Sequence, residues 1–107
     1  MVMNRELMIP PAAEEDPKAF EIVRVWGAGG VQHVSLNWDL WDDPATWGIV
    51  LADLAGHVAN AYQQERRLDR AEVLQKIRSM FNDEFDTPTD TPIGKVHNTR
   101  RPHRGQR

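Results

Sequence analysis

With 107 residues and a net charge of −3, the chain has the length of one domain and the mildly acidic balance of an ordinary globular protein. Hydrophobic residues make up 40% and charged residues 27%, which excludes a low-complexity chain, and the absence of cysteine excludes disulfides, thiolate metal sites and cysteine nucleophiles. No apolar run approaches the roughly 20 residues that cross a bilayer, and no secretory signal opens the chain, so we expect a cytoplasmic protein without a membrane partner.

Residues 1–18 are predicted to form an extended N-terminal segment. Pro10, Pro11 and Pro17 each lack a backbone N–H, and a proline pushes the residue before it towards extended geometry. The apolar run at residues 7–9 could still dock on the rest of the chain, either as a third strand or as a lid.

A β-hairpin is predicted for residues 20–38. Two runs rich in β-branched and aromatic residues flank the sequence GAGG, and glycine accepts the positive φ that tight hairpin turns need. With Gly29 and Gly30 as the turn, one face becomes wholly aliphatic, whereas a slip of one residue would mix the two faces. The predicted pairs are Val25 with Val34 and Val23 with Leu36 on the aliphatic face, and Trp26 with His33, Arg24 with Ser35 and Ile22 with Asn37 on the other.

A long central helix is predicted from an N-cap at Asp42 or Asp43 to about Glu65. At about 100° per residue, its apolar side chains share one face, and small residues form a neighbouring flank suited to close packing. Because this apolar arc is wide, we expect burial on more than one side. The apolar face comprises Trp47, Leu51, Leu54, Val58, Ala61 and Tyr62, and the small flank comprises Gly48, Ala52, Ala55 and Ala59.

A second, amphipathic helix is predicted to begin at Asp69, which can cap it, and to run antiparallel to the first until Thr87-Pro88. The fold class is therefore α+β, with the β-hairpin packed on the long central helix and on the second helix. We expect a single domain over residues 19–86.

The C-terminal segment, residues 87–107, is predicted to be disordered. Residues 86–107 hold five Lys/Arg against two Asp, whereas residues 1–85 hold eight Lys/Arg against fourteen Asp/Glu, so an acidic body carries a basic tail. Few apolar side chains in the tail could offset its ordering entropy. Its arginines suggest an electrostatic contact with nucleic-acid phosphates, although no aromatic residue is interleaved with them. These arginines are Arg100, Arg101, Arg104 and Arg107.

Catalysis or ligand binding would most plausibly use a polar stripe on the central helix, formed by Asp53, His57 and Asn60. Asp53 and His57 lie four residues apart, so the carboxylate could orient the imidazole, but a solvated stripe explains the same pattern. No histidine spacing ties two ligands to one metal ion, and GAGG lacks the phosphate-loop pattern. We therefore predict no metal, no cofactor and no catalytic residue.

A partner-binding surface is predicted on the mixed face of the hairpin, at Ile22, Arg24, Trp26 and His33. A tryptophan beside an arginine is typical of an interface hot spot, although residues 1–18 could instead cover it. A two-stranded sheet is marginal alone in water. We therefore expect a homodimer that uses the hairpin, with the small-residue flank of the central helix as the alternative interface.

Several segments resemble a small bacterial family, domain of unknown function 5076. They are DDPATWG, AGHVANAY and the turn and strand ending in QHVSL, and the resemblance runs from about Ile9 to Phe85. It implies a compact domain in a bacterial cytoplasm with the basic tail outside the shared part, and it implies no activity or ligand. The residues that match the family's segments include Trp26, His33, Trp41, Trp47 and His57.

Three functions remain open at this point. The leading hypothesis is a small non-enzymatic interaction module with an unknown protein partner, because no nucleophile, metal cluster or cofactor loop is assembled. The alternatives are a nucleic-acid-binding accessory protein that uses the arginine tail, and a weak enzyme or ligand binder around Asp53 and His57.

Overall fold

The computed structural model describes residues 5–89 and the backbone of residues 96–97. The chain divides into two compact units, one that contains the hairpin and one that begins at Asp39 and contains two long helices. Strands and helices together confirm the predicted α+β class. None of the helices in residues 5–89 combines the length and the hydropathy of a membrane span. The packing of the hairpin on the helices and the single domain over residues 19–86 stay predictions.

The hairpin has the predicted register. Strand β1, Val23–Ala28, pairs antiparallel with strand β2, Val31–Leu36, and each cross-strand partner predicted within these strands is observed. Gly29 and Gly30 form the turn with φ values of 60° and 74°, the left-handed geometry that favours glycine. The ladder continues past the strands, because the Asn37 N–H donates to the carbonyl of Ile22 at 2.9 Å. Turn chemistry and alternation were therefore sufficient to place this element.

Two short elements differ from the sequence prediction. Helix α1, Pro11–Glu15, interrupts the segment predicted to be extended. Proline at the first helical position followed by Ala-Ala-Glu-Glu favours one helical turn, and this signal outweighs the extended preference of the proline pair. Strand β3, Val96–His97, pairs in parallel with β2 inside the segment predicted to be disordered. The rest of that prediction lies almost wholly outside the described residues.

The central helix α2, Thr46–Arg66, begins slightly later than predicted. Its N-cap is Ala45, and the Asp43 carboxylate instead accepts the Ala45 N–H at 2.9 Å, in a tight turn that leads into the helix. The C-cap is Arg67, a non-glycine residue with φ of 56°, whose N–H donates to the carbonyl of Gln63. The helix therefore ends in left-handed geometry without the glycine that usually supplies it.

Helix α3, Arg70–Asp86, is capped as predicted, since the Asp69 carboxylate accepts the Glu72 N–H at 3.2 Å. A three-residue connection reverses the chain, and α2 and α3 pack on each other. The buried hydrophobic residues of the described chain are Ala59 on α2 and Val73 on α3. The helices therefore meet through a small residue, and most large apolar side chains of this unit keep contact with solvent.

Candidate interaction surfaces

The mixed face of the hairpin carries a group of four half-buried residues, which we call the hairpin surface. They are Ile22, Arg24, Trp26 and His33. Trp26 is directly opposite His33 in the ladder, so alternation brings these side chains together. The sequence therefore predicted correctly which strand residues share this face, and partner binding by the face stays a prediction.

Residues that precede α1 cover part of this surface. The Arg5 guanidinium lies over the Trp26 ring at 6.0 Å from its centroid, within cation–π range. Arg24 forms ion pairs with Glu6 at 2.9 Å and with Glu21 at 3.0 Å. The pKa of Arg24 is raised, chiefly by the hydrogen bond to the Glu21 carboxylate and by that residue's charge, and then by Glu6. Arg24 therefore joins the hairpin surface to Glu6 of the N-terminal segment through an exposed ion pair.

An open concavity of about 270 Å³ adjoins the hairpin surface, and the residues described along it are Trp26, Ala28, His33, Val34 and Ser35. Its volume lies just below the range of typical small-molecule pockets. Its lining is mostly apolar and includes two polar residues, His33 and Ser35.

The apolar run at residues 7–9 does not form the lid or third strand considered from the sequence. Leu7 and Met8 are 95% and 80% exposed, and no strand is assigned between residues 5 and 22. The contacts come instead from the polar pair just before this run, Arg5 and Glu6. The sequence does contain a basic and an acidic residue, Arg5 and Glu6, that can contact an aromatic ring and an arginine. It does not specify that their partners are on the hairpin, because these contacts join residues far apart in the chain.

The polar stripe of α2 is not assembled into a catalytic pair. Asp53 and His57 are exposed, and within the described residues no hydrogen bond or ion pair joins them. Asn60 has a structural partner, since its Oδ1 accepts a hydrogen bond from Nε of Arg70 at 2.5 Å. Arg70 also lies 3.2 Å from where a Cβ on Gly56 would be, so it bridges the two helices. No group of acidic or histidine residues that could hold a metal ion occurs in the described part of the chain.

The apolar stripe, defined as Trp47, Leu51, Leu54, Val58 and Tyr62, follows one face of α2. Its four residues from Leu51 onward are 39–50% exposed, while Trp47 is half-buried and packs edge-on against Trp41 at 5.5 Å. Ala59 and Gly56, which face α3 and Arg70, lie on another side of the helix. Part of the predicted small-residue flank is therefore used by α3, and the stripe of large residues remains accessible in this unit.

The four tail arginines, Arg100, Arg101, Arg104 and Arg107, lie outside the described residues. Nucleic-acid binding by the tail therefore stays a prediction.

Fold and surfaces together define a small α+β protein with a β-hairpin unit and a helical-hairpin unit. A family model described as domain of unknown function DUF5076 matches residues 6–89, and the chain belongs to this family, as its sequence segments indicated. It is similar to a solved structure from the photosynthetic bacterium Rhodopseudomonas palustrus CGA009, provisionally described as a pyruvate dehydrogenase, with 28% identity and a TM-score of 0.68. The match covers 92% of this chain and 100% of that one. No curated protein matches the chain.

Proposed function

We propose that this protein is a small, cytoplasmic, non-enzymatic interaction module that acts as a homodimer and binds a protein partner. The observation that carries the proposal is the distribution of apolar side chains. In the described chain the buried hydrophobic residues are Ala59 and Val73, whereas large side chains on both long helices are exposed. Contiguous exposed apolar surface in an ordered protein is typical of a binding surface.

The hairpin surface is the proposed site for the protein partner. Trp26 offers a large, rigid contact area, and His33 beside it offers a polar group at the edge of the 270 Å³ concavity. Arg24 is already paired with Glu6 and Glu21, so it supports the surface and is not the main source of binding energy. We expect the partner to insert an apolar side chain next to Trp26.

Enzymatic activity of the kind named for the structural relative is not part of this proposal. In the described residues, Asp53 and His57 are exposed and not joined to each other, so no acid–base pair is assembled at the stripe where the sequence suggested one. An interaction module requires only the surfaces described above.

Affinity capture from native lysate tests the proposal, with the full chain as bait and with and without nuclease. We expect a protein retained by the wild type and by Trp38→Ala, and lost with Trp26→Ala and His33→Ala. Trp38 is the matched control because it is an exposed tryptophan just beyond β2, outside the hairpin surface. Circular dichroism checks that each bait is folded.

Two results would contradict the proposal. Retention of the same protein by all four baits would remove the hairpin surface as its site. Loss of every captured species on nuclease treatment, together with steep salt dependence, would favour nucleic-acid binding by the tail.

A further inference from the structure

The apolar stripe of α2 has the pattern of a helix–helix seam. Its residues recur at intervals of four, three, four and four, close to the heptad spacing at which one helix packs along another. From Trp47 to Tyr62 the stripe is about 22 Å long at 1.5 Å per residue. The only Asp, Glu, Lys or Arg between Thr46 and Gln64 is Asp53, which lies well round the helix from the stripe. The stripe itself therefore carries no charge, and Glu65, three residues after Tyr62, is the first charged residue along the same face, at its C-terminal end.

The stripe is also complementary to a second copy of itself that runs in the opposite direction. If two copies of α2 lie antiparallel about a two-fold axis between Leu54 and Ala55, every large residue meets a large residue. Trp47 of one copy faces Tyr62 of the other, Leu51 faces Val58, and the two Leu54 side chains meet near the axis. An isologous interface requires this match, because the same patch serves on both sides.

The charges at the two ends of α2 follow the same symmetry. The antiparallel register that pairs Trp47 with Tyr62 also brings the segment before α2, which carries Asp42 and Asp43, near the C-terminal end of the second copy's helix. That end carries Glu65, Arg66 and Arg67, so a net negative end meets a net positive one. A parallel arrangement would instead bring acidic ends together and basic ends together. Charge complementarity therefore selects a second copy, in the antiparallel sense.

We propose that the apolar stripe of α2 is the homodimer interface, in which two copies pack antiparallel about a two-fold axis between Leu54 and Ala55. This inference rests on the proposed function and specifies its dimer contact, which moves from the hairpin predicted from the sequence to the central helix. The hairpin surface is then left free for the protein partner. One helical seam lies at the small end of the range of specific interfaces, so we expect dissociation constants on the order of micromolar.

Sedimentation equilibrium of the full chain, from nanomolar to high micromolar concentration, tests the interface. We expect the wild type to dimerise and Leu54→Glu to weaken the dimer by at least roughly a hundredfold, because two carboxylates would meet at the axis. Ile49→Glu is the matched control: Ile49 is exposed on the same helix but away from the stripe, and its dimer constant should be unchanged.

A charge swap tests the antiparallel register, with circular dichroism on each variant, because the Asp43 carboxylate also accepts the Ala45 N–H in the turn that leads into α2. Asp43→Arg and Arg66→Asp should each weaken the dimer by roughly tenfold, since each creates two like-charge pairs per dimer. The double variant, Asp43→Arg with Arg66→Asp, should restore most of the lost affinity. Restoration is a result that a merely structural role of either residue would not produce.

Three outcomes would overturn the inference: a wild-type monomer at every concentration, a dimer that Leu54→Glu leaves intact, or a double variant as weak as the single ones. A monomer whose partner capture still depends on Trp26 would reject the second copy and keep the interaction module. A dimer with this register but with capture independent of Trp26 would keep the interface and reject the hairpin surface as the partner site.

Discussion

The hairpin unit and the helical unit differ in how their apolar side chains are covered. On the hairpin, Trp26 lies under the guanidinium of Arg5, and Arg24 is held by Glu6 and Glu21 of the same chain. On α2, the side chains from Leu51 to Tyr62 that form the apolar stripe remain 39–50% exposed within their unit. Sequence periodicity defines both faces equally well. It does not show which of the two faces other residues of the same chain contact.

The two units also depend on different stabilising contacts. The hairpin depends on its backbone ladder and on two glycines with positive φ, whereas the helices depend on a small-residue contact at Ala59 and on a side-chain cap at Asp69. Substitutions at these positions therefore separate the two units.

The largest effect is expected at the contact between the helices. Ala59 is fully buried, so Ala59→Leu forces extra methyl groups into a closed space and should lower the free energy of unfolding by about 1–3 kcal/mol. Ala52→Leu, at an exposed position of the same helix, should change it by less than about 0.5 kcal/mol. Chemical denaturation monitored by circular dichroism measures both. Equal effects would mean that Ala59 is not the closest contact of the helical unit.

In the hairpin, the expected loss of stability comes from backbone geometry and not from steric crowding. A Cβ on Gly30 meets open space, but φ there is 74°, so Gly30→Ala should cost roughly 1–2 kcal/mol. Gly27 also has open space, but its φ is not positive, so Gly27→Ala should be neutral or stabilising by about 0.5–1 kcal/mol. Thermal unfolding of the two variants distinguishes strain from packing. If both variants lose stability equally, the turn geometry is not the cause.

Much of the fold could be predicted from the sequence, because turn residues, alternation and helix capping all favoured the same local structure. The hairpin register followed from the Gly29-Gly30 turn and alternation, and the start of α3 followed from Asp69. The elements that were missed depend on other features. Helix α1 is a single turn in which proline placement competes with proline's extended preference. Strand β3 and the contact of Arg5 with Trp26 join residues far apart in sequence, which no local pattern specifies.

The candidate surfaces were predicted less completely than the elements. Alternation identified the hairpin surface, and about 100° per residue identified the apolar stripe of α2. Asn60, however, was assigned to a polar stripe, and it instead accepts a hydrogen bond from Arg70 of α3. The hydrogen-bond partner of Asn60 depends on how the two helices pack. Helical periodicity describes one helix at a time and does not predict this packing.

A smaller effect is expected at the α3 cap, which the hairpin unit does not share. Asp69→Ala leaves the Glu72 N–H without its side-chain acceptor and should lower the free energy of unfolding by about 1 kcal/mol. Asp69→Asn keeps an acceptor of the same length and should stay within about 0.5 kcal/mol of the wild type. Denaturation of both variants is the measurement. A loss of equal size in Asp69→Asn would assign the effect to charge at the helix start and not to the capping hydrogen bond.

The smallest effect concerns pH and the end of α3. The Glu84 carboxylate accepts hydrogen bonds from the Thr89 hydroxyl and from the Thr89 N–H at 3.0 Å, and these bonds lower the pKa of Glu84, the hydroxyl bond most. A carboxyl whose folded pKa is lowered stabilises the fold above its unfolded pKa, and this contribution disappears as pH falls through the folded value. Thr89→Val removes the hydroxyl and should raise the pKa of Glu84 towards its ordinary range, as measured by carboxyl NMR titration. A Glu84 titration identical in wild type and variant would mean that the Thr89 hydroxyl does not donate a hydrogen bond to this carboxylate in solution.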